Sequence, residues 1–228
     1  MKKYVNAFRM FFGRSNFSSM AWFLVVDSCM IIMVAVLEIS AAGGDFTAGM
    51  TAGMSIMLSG VIPLTGLIFL NAIFAYANPA TPGHKYFLSV PDSDEKFRRA
   101  VIAANVFSVA LGLVLSAVVF GVFSLLHIDI SMTFFGLVML FALLGLSNFT
   151  GYIRNTAVRL IVVCGLFSCT GFAAGFFSTT DEEDDISFGM LYEKAPWALF
   201  VLAGAAVLLF TGGFIYAAAV SKRKWVRE

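Results

Sequence analysis

Two carboxylates stand inside the first apolar stretch of the chain. Asp27 and Glu38 are eleven positions apart. At about 100° per residue a helix brings both to one face, close to Ser28, Ile31 and Val34. A carboxylate in hydrocarbon is costly and normally faces a partner or a water-filled cavity. The pair therefore points to a pathway lining or a subunit interface. The plainer alternative pairs Asp27 with a base at the inner rim and puts Glu38 at the outer interface. Asn71, Asn105 and Asn148 lie near the ends of later apolar stretches. Amides there bond between helices or line a path.

Groupings that would do covalent chemistry are missing. An intramembrane serine protease needs a Gly-x-Ser-Gly string and a histidine in a later span. The nearest string is Gly145-Leu146-Ser147-Asn148, and His84 and His127 both fall in polar connections. No HExxH zinc motif, phosphate loop or dinucleotide fingerprint occurs. Glu182-Glu183 belongs to a solvated acidic run. The expectation is a chain that is not an enzyme, has no metal site and binds no cofactor itself. Cys29, Cys164 and Cys169 all lie in apolar stretches, so no disulfide framework is implied.

The elements that would carry these residues follow from composition. Hydrophobic residues make up 60% of the 228, against about 45–50% in a soluble domain. Runs of about 20 apolar residues cross a hydrocarbon core of about 30 Å. Six such stretches occur, near 20–39, 48–77, 100–126, 132–150, 160–177 and 196–220. The expected fold is all-α: a polytopic membrane protein of six transmembrane helices forming one domain. Pro63 predicts a kink in the second span. Residues 1–19 interleave Lys2, Lys3, Arg9 and Arg14 with Tyr4, Phe8, Phe11 and Phe12. That spacing predicts an amphipathic helix in the membrane interface, and no cleavable signal. Small residues recur four apart at Gly49/Gly53, Ser55/Ser59, Ala117/Gly121 and Gly171/Gly175, a spacing that permits close helix approach.

Charge sets the orientation. With six spans, one side receives every Lys and Arg of the 15 except Lys194. Basic residues in short loops stay cytoplasmic. Both termini and residues 78–99 are therefore expected in the cytoplasm, and residues 178–195 outside. The outer segment carries the acids Asp181 to Asp185. It reads as a hydrated loop, or as a guard for cations at an exit mouth. It lacks the ligand order of an EF-hand.

Residues 78–99 form the long polar interruption of the first two-thirds. They hold Pro79, Pro82 and Pro91, His84 and charges of both signs. Asp92 precedes Glu95 by three, an aspartate version of a capping box that predicts a helix from about Ser93. Acids early in it (Asp94, Glu95) and bases later (Lys96, Arg98, Arg99) suit the helix dipole. Ahead of it, Tyr86, Phe87, Leu88 and Val90 are apolar groups with no obvious core of their own. That pattern suits docking into a groove of another protein; the alternative is a loop whose aromatics rest among headgroups.

The layout resembles the permease subunits of ABC-2 type exporters. The shared features are the basic amphipathic N-terminus, six spans, both ends inside and a cytoplasmic segment between spans 2 and 3. Residues Phe87-Leu88-Ser89-Val90-Pro91-Asp92-Ser93 are similar to the S-L-P-V-S string that small bacterial members carry before span 3. Val90 stands where leucine is usual and Asp92 where an aliphatic residue is usual. The resemblance implies that His84, Lys85, Tyr86, Phe87, Leu88 and Pro91 engage a separate ATPase subunit, which holds the ATP and Mg. It implies a second permease subunit, identical or related, with Asp27, Glu38, Asn71 and Asn105 at the pathway or interface. It also implies a bacterial cytoplasmic membrane location, no nucleic-acid partner, and export of peptides or amphiphiles. The rival readings are a six-span substrate-binding subunit of an uptake system, and a structural or immunity protein that transports nothing.

Overall fold

The structure is a computed structural model that describes residues 1–13, 25, 29, 66–77, 84–125, 131–153, 158, 161–162, 165 and 196–225. Asp27, Glu38, Pro63, the acidic run 181–185, and most of spans 1 and 5 lie outside the described residues. So do Cys164, Cys169 and the pairs Gly49/Gly53, Ser55/Ser59 and Gly171/Gly175.

Every regular element among the described residues is helical. α1 covers 2–13, α2 covers Gly66–Ala75 and α3 is the short helix His84–Leu88. α4 runs Ser93–Leu125, α5 runs Ser131–Thr150 and α6 runs Pro196–Trp225. The starts at Ser93, 131 and 196 match the reading of turn residues and apolar length. α6 continues five residues beyond the expected end, through Ser221-Lys222-Arg223-Lys224.

α4 is about 50 Å long at 1.5 Å per residue, longer than a bilayer core. Its first turns are polar: Glu95 bonds forward to Arg98 (3.3 Å) and Arg99 (3.2 Å). Each such pair on an exposed helix adds about 0.2–0.5 kcal/mol. The stretches Ser93–Gly121 and Phe200–Ser221 are long and apolar enough to cross a membrane. Only 17% of the second is covered by the rest of the chain, and Phe200, Val201, Leu208 and Ile215 stand exposed along it.

Three kinds of contact join the helices. First, α5 and α6 cross backbone to backbone at two glycines. A Cβ on Gly145 would lie 2.7 Å from the Leu209 carbonyl, and one on Gly213 would fall on the Gly145 carbonyl. Second, α4 carries Asn105, Ser108, Gly112 and Ser116 at helical spacing, all on its buried side. Ser108 Oγ donates to the Gly66 carbonyl of α2 (2.9 Å), and Leu140 of α5 fills the space left by Gly66 and Gly112. Third, Asn105 and Asn148 exchange amide hydrogen bonds between α4 and α5, at 3.1 and 2.7 Å. Each Nδ2 also donates to a carbonyl of its own helix, Val101 or Leu144 (2.9 Å each).

The amide pair is closed on itself, which leads to a prediction. Changing either asparagine to Leu orphans the other, at about 1–3 kcal/mol for an unsatisfied buried group. Changing both removes both needs. The double Asn105→Leu/Asn148→Leu variant is expected to lose less stability than the sum of the singles in a detergent unfolding series. Additive losses would mean that the two amides act independently.

Of the four-residue small pairs expected, Ala117/Gly121 lies among the described residues and makes no close contact there. Gly121 has open space where a Cβ would go, and Ala117 is exposed. Spacing alone marks a helix face, but only a neighbour on that face makes it a contact.

Candidate functional site

The site is built at the junction of α2, α3 and the base of α4. α2 ends with tightened bonds from Tyr76 N–H to the Ile73 carbonyl and Ala77 N–H to the Phe74 carbonyl (3.1 Å each). The last carbonyls of a helix lack intrahelical partners. His84 supplies one: its Nδ1–H donates to the Tyr76 carbonyl at 2.6 Å, with the ring buried.

Phe87, one turn further, is half-buried. It stacks on Phe11 of α1 (4.9 Å between centroids) and meets the edge of Tyr76 (4.9 Å). Phe11 in turn sits edge-on to Phe97 of α4 (5.4 Å). Aromatic pairs in such geometries add about 0.5–1.5 kcal/mol beyond area burial. A helix of five residues cannot hold itself together in water. Its order comes from His84 and Phe87, which tie it to α2 and α1.

The opposite side of α3 is uncovered. Tyr86 is 70% exposed and Leu88 37%; Lys85, Ser89, Pro91 and Asp92 are exposed too. The six residues expected to meet a partner therefore divide. Lys85, Tyr86, Leu88 and Pro91 face outward. His84 points inward and Phe87 packs inward, against the expectation that Phe87 is a docking group. The reason is helical geometry: 84 and 87 are three apart and share the side that meets α1 and α2.

The chain then reverses. Val90 N–H bonds to the Phe87 carbonyl (3.2 Å) and Ser93 N–H to the Val90 carbonyl (3.1 Å). The Asp92 carbonyl accepts the first bond of α4 from Lys96 N–H (3.0 Å), and Lys96 Nζ donates to the Pro91 carbonyl (2.8 Å). The helix start is as expected, but the reciprocal capping box is replaced. Glu95 reaches forward to the arginines, and Asp92 sits in the left-handed region at φ 54°. Aspartate tolerates that region better than most residues. Asp92→Val is expected to cost about 1–2 kcal/mol, whereas Asp92→Gly keeps the stability. Thermal unfolding of the two variants checks this; equal losses would point to the carboxylate instead of the backbone.

The apolar face of the helix expected at the membrane interface, α1, is covered by the protein. Ala7, Phe8, Phe11 and Phe12 are all buried. Phe8 meets Phe69 (5.7 Å) and Phe107 (4.9 Å), and Phe12 meets Phe69 (5.2 Å). The apolar face is spent on the protein itself, because α2, α3 and α4 present aromatic rings to it. Tyr4 is 41% exposed and is not part of that face.

Of the polar positions singled out, Asn71 is half-buried on α2. Asn105 is enclosed and paired with Asn148, so its amide is committed within the chain. Tyr152 was not singled out. Its hydroxyl donates to the Ala217 carbonyl (2.9 Å), tying the end of α5 to α6. Burial, helped by nearby Tyr216, raises its phenol well above the ordinary value, and the Ser221 hydroxyl opposes the rise. The following-turn position of Tyr152, next to Gly151 and against the Phe74 ring, gives no signal in sequence. Among the described residues no three His, Cys, Asp or Glu side chains stand close enough to hold a metal.

The arrangement offers a rigid exposed knob, with an aromatic ring and an aliphatic group beside a lysine. A comparison with family models, curated proteins and solved structures finds no match for this chain.

Proposed function

We propose that the chain is the permease subunit of an ATP-driven exporter of the ABC-2 type, with six spans and both termini in the bacterial cytoplasm. A second permease subunit completes the pathway, and a separate ATPase subunit binds ATP and Mg. The cargo is a peptide or another amphiphile. The apolar outer surfaces of α4 and α6 and the one-sided distribution of Lys and Arg support the membrane reading. The observation that carries the coupling role is α3. It is anchored from behind by His84 and Phe87 and shows Tyr86 and Leu88 to the outside. Such a knob transmits a push only if its base is stiff, and the ring stack onto α1, α2 and α4 supplies that stiffness.

Purification of the tagged chain from native membranes tests the proposal. The expected result is an ATPase subunit in stoichiometric amount, with nucleotide-driven efflux after reconstitution. A chain that binds a ligand tightly at its outer loops, with no ATPase and no efflux, would refute it.

A further inference from the structure

We propose that the outer face of α1 is a docking surface for anionic phospholipid headgroups. The inference rests on the membrane reading above, and it concerns residues that the coupling role leaves unused. α1 holds Lys2, Lys3 and Arg9 and has no acidic residue. Positions 2 and 9 are seven apart, about 20° short of two full turns, and position 3 flanks them. All three are exposed. Lys2 and Arg9 lie on the side away from Ala7, Phe8, Phe11 and Phe12, whose face is covered by α2, α3 and α4, and Lys3 stands at the edge of that face, four residues before Ala7. None of the three makes an ion pair with a described residue, whereas Arg98 and Arg99 are paired with Glu95.

The depth of α1 also fits. Phe11 meets Phe97, just before the last charged residue of α4, and Phe8 meets Phe107 within the apolar part. α1 therefore crosses α4 where polar sequence gives way to apolar sequence at Arg99 and Ala100. In a bilayer that boundary is the headgroup layer. A protein partner would want an apolar centre in its contact, whereas Lys2 and Arg9 flank the exposed, polar Asn6 at helical spacing. Each base near an anionic leaflet is worth about fivefold in association.

The test uses the purified full chain in a neutral detergent. Short-chain phosphatidylglycerol, phosphatidylcholine and inorganic phosphate are titrated separately while the thermal unfolding midpoint is followed. Phosphatidylglycerol is expected to raise the midpoint and the other two are not, with the effect weakening as salt rises. Lys2→Gln/Lys3→Gln/Arg9→Gln is expected to need at least about tenfold more phosphatidylglycerol. Its midpoint without lipid stays that of the parent. Lys2→Arg/Lys3→Arg keeps the parent response, which separates charge from folding. Equal responses to both lipids, a response to phosphate alone, or a triple variant that titrates like the parent would overturn the proposal. So would an unchanged lipid response with loss of ATPase association, which assigns the face to protein. A chain that stays dispersed without detergent would instead refute the membrane reading itself.

Discussion

Leu140→Ala is expected to destabilise the protein by about 2–5 kcal/mol, the range for emptying a fully enclosed leucine site. Leu140 is completely buried and serves three helices at once. Its Cδ1 lies where a Cβ on Gly66 would sit, 2.8 Å from it, and its other methyl occupies the place of a Cβ on Gly112. The helices cannot collapse onto the vacancy, because Ser108 holds α4 to the Gly66 carbonyl and the asparagine pair holds α4 to α5. Gly112→Ala drives a methyl into the same side chain and is expected to cost about 1–3 kcal/mol. The double variant Gly112→Ala/Leu140→Ala lets the new methyl use the emptied space, so the two losses are expected to fall short of their sum. Urea or thermal unfolding in detergent measures all three. A Leu140→Ala loss below about 1 kcal/mol, or strict additivity with Gly112→Ala, would show that the wedge does not hold these helices.

Tyr86→Ala/Leu88→Ala is expected to separate docking from folding. Both side chains stand outside the packed cluster, so stability should change by no more than about 0.5 kcal/mol per site. An exposed aromatic anchor in a protein contact is commonly worth about 2 kcal/mol or more, roughly thirtyfold in affinity. The variant should remain folded, bind the proposed ATPase partner at least tenfold more weakly and lose the nucleotide-driven efflux that the proposal expects. Phe87→Ala should behave in the opposite order. It loses its stack on Phe11 and Tyr76 and about 1–3 kcal/mol of stability, below the value for a fully enclosed phenylalanine. Association would then fall only as a consequence of a loosened α3. Copurification together with unfolding midpoints reads both quantities. Unchanged association in Tyr86→Ala/Leu88→Ala would remove α3 from the coupling role.

The helical class and the helix starts were legible because they depend on local properties. Apolar length requires helices at 100–126, 132–150 and 196–220, and Pro91-Asp92 with acids after it announces a start at Ser93. The amphipathic pattern of α1 was legible too, but not what covers its apolar face. Tyr4 and Phe8 look equivalent in a helical projection, yet Phe8 is buried against Phe69 and Phe107 while Tyr4 is 41% exposed. The same holds for glycine. Gly121 fits a small-residue spacing and has open space where a Cβ would go, whereas Gly145 has phenylalanine four residues away on either side and carries the close helix crossing with Gly213. A helix face is a property of spacing; a contact needs a second surface at the right height.

The site at residues 84–92 was found in sequence by its polarity, its prolines and its unexplained apolar groups. Sequence by itself determined that this segment is a short interruption between apolar stretches, and that helix α4 grows out of it. Tertiary structure alone decided how the segment is divided. The Tyr76 carbonyl needs a donor at the end of α2, and the Phe11 ring leaves room for one more ring. Those two demands turn His84 and Phe87 inward and leave Lys85, Tyr86 and Leu88 outside. Neighbours in sequence thus take opposite roles, because a helix of this size follows the surface it packs against.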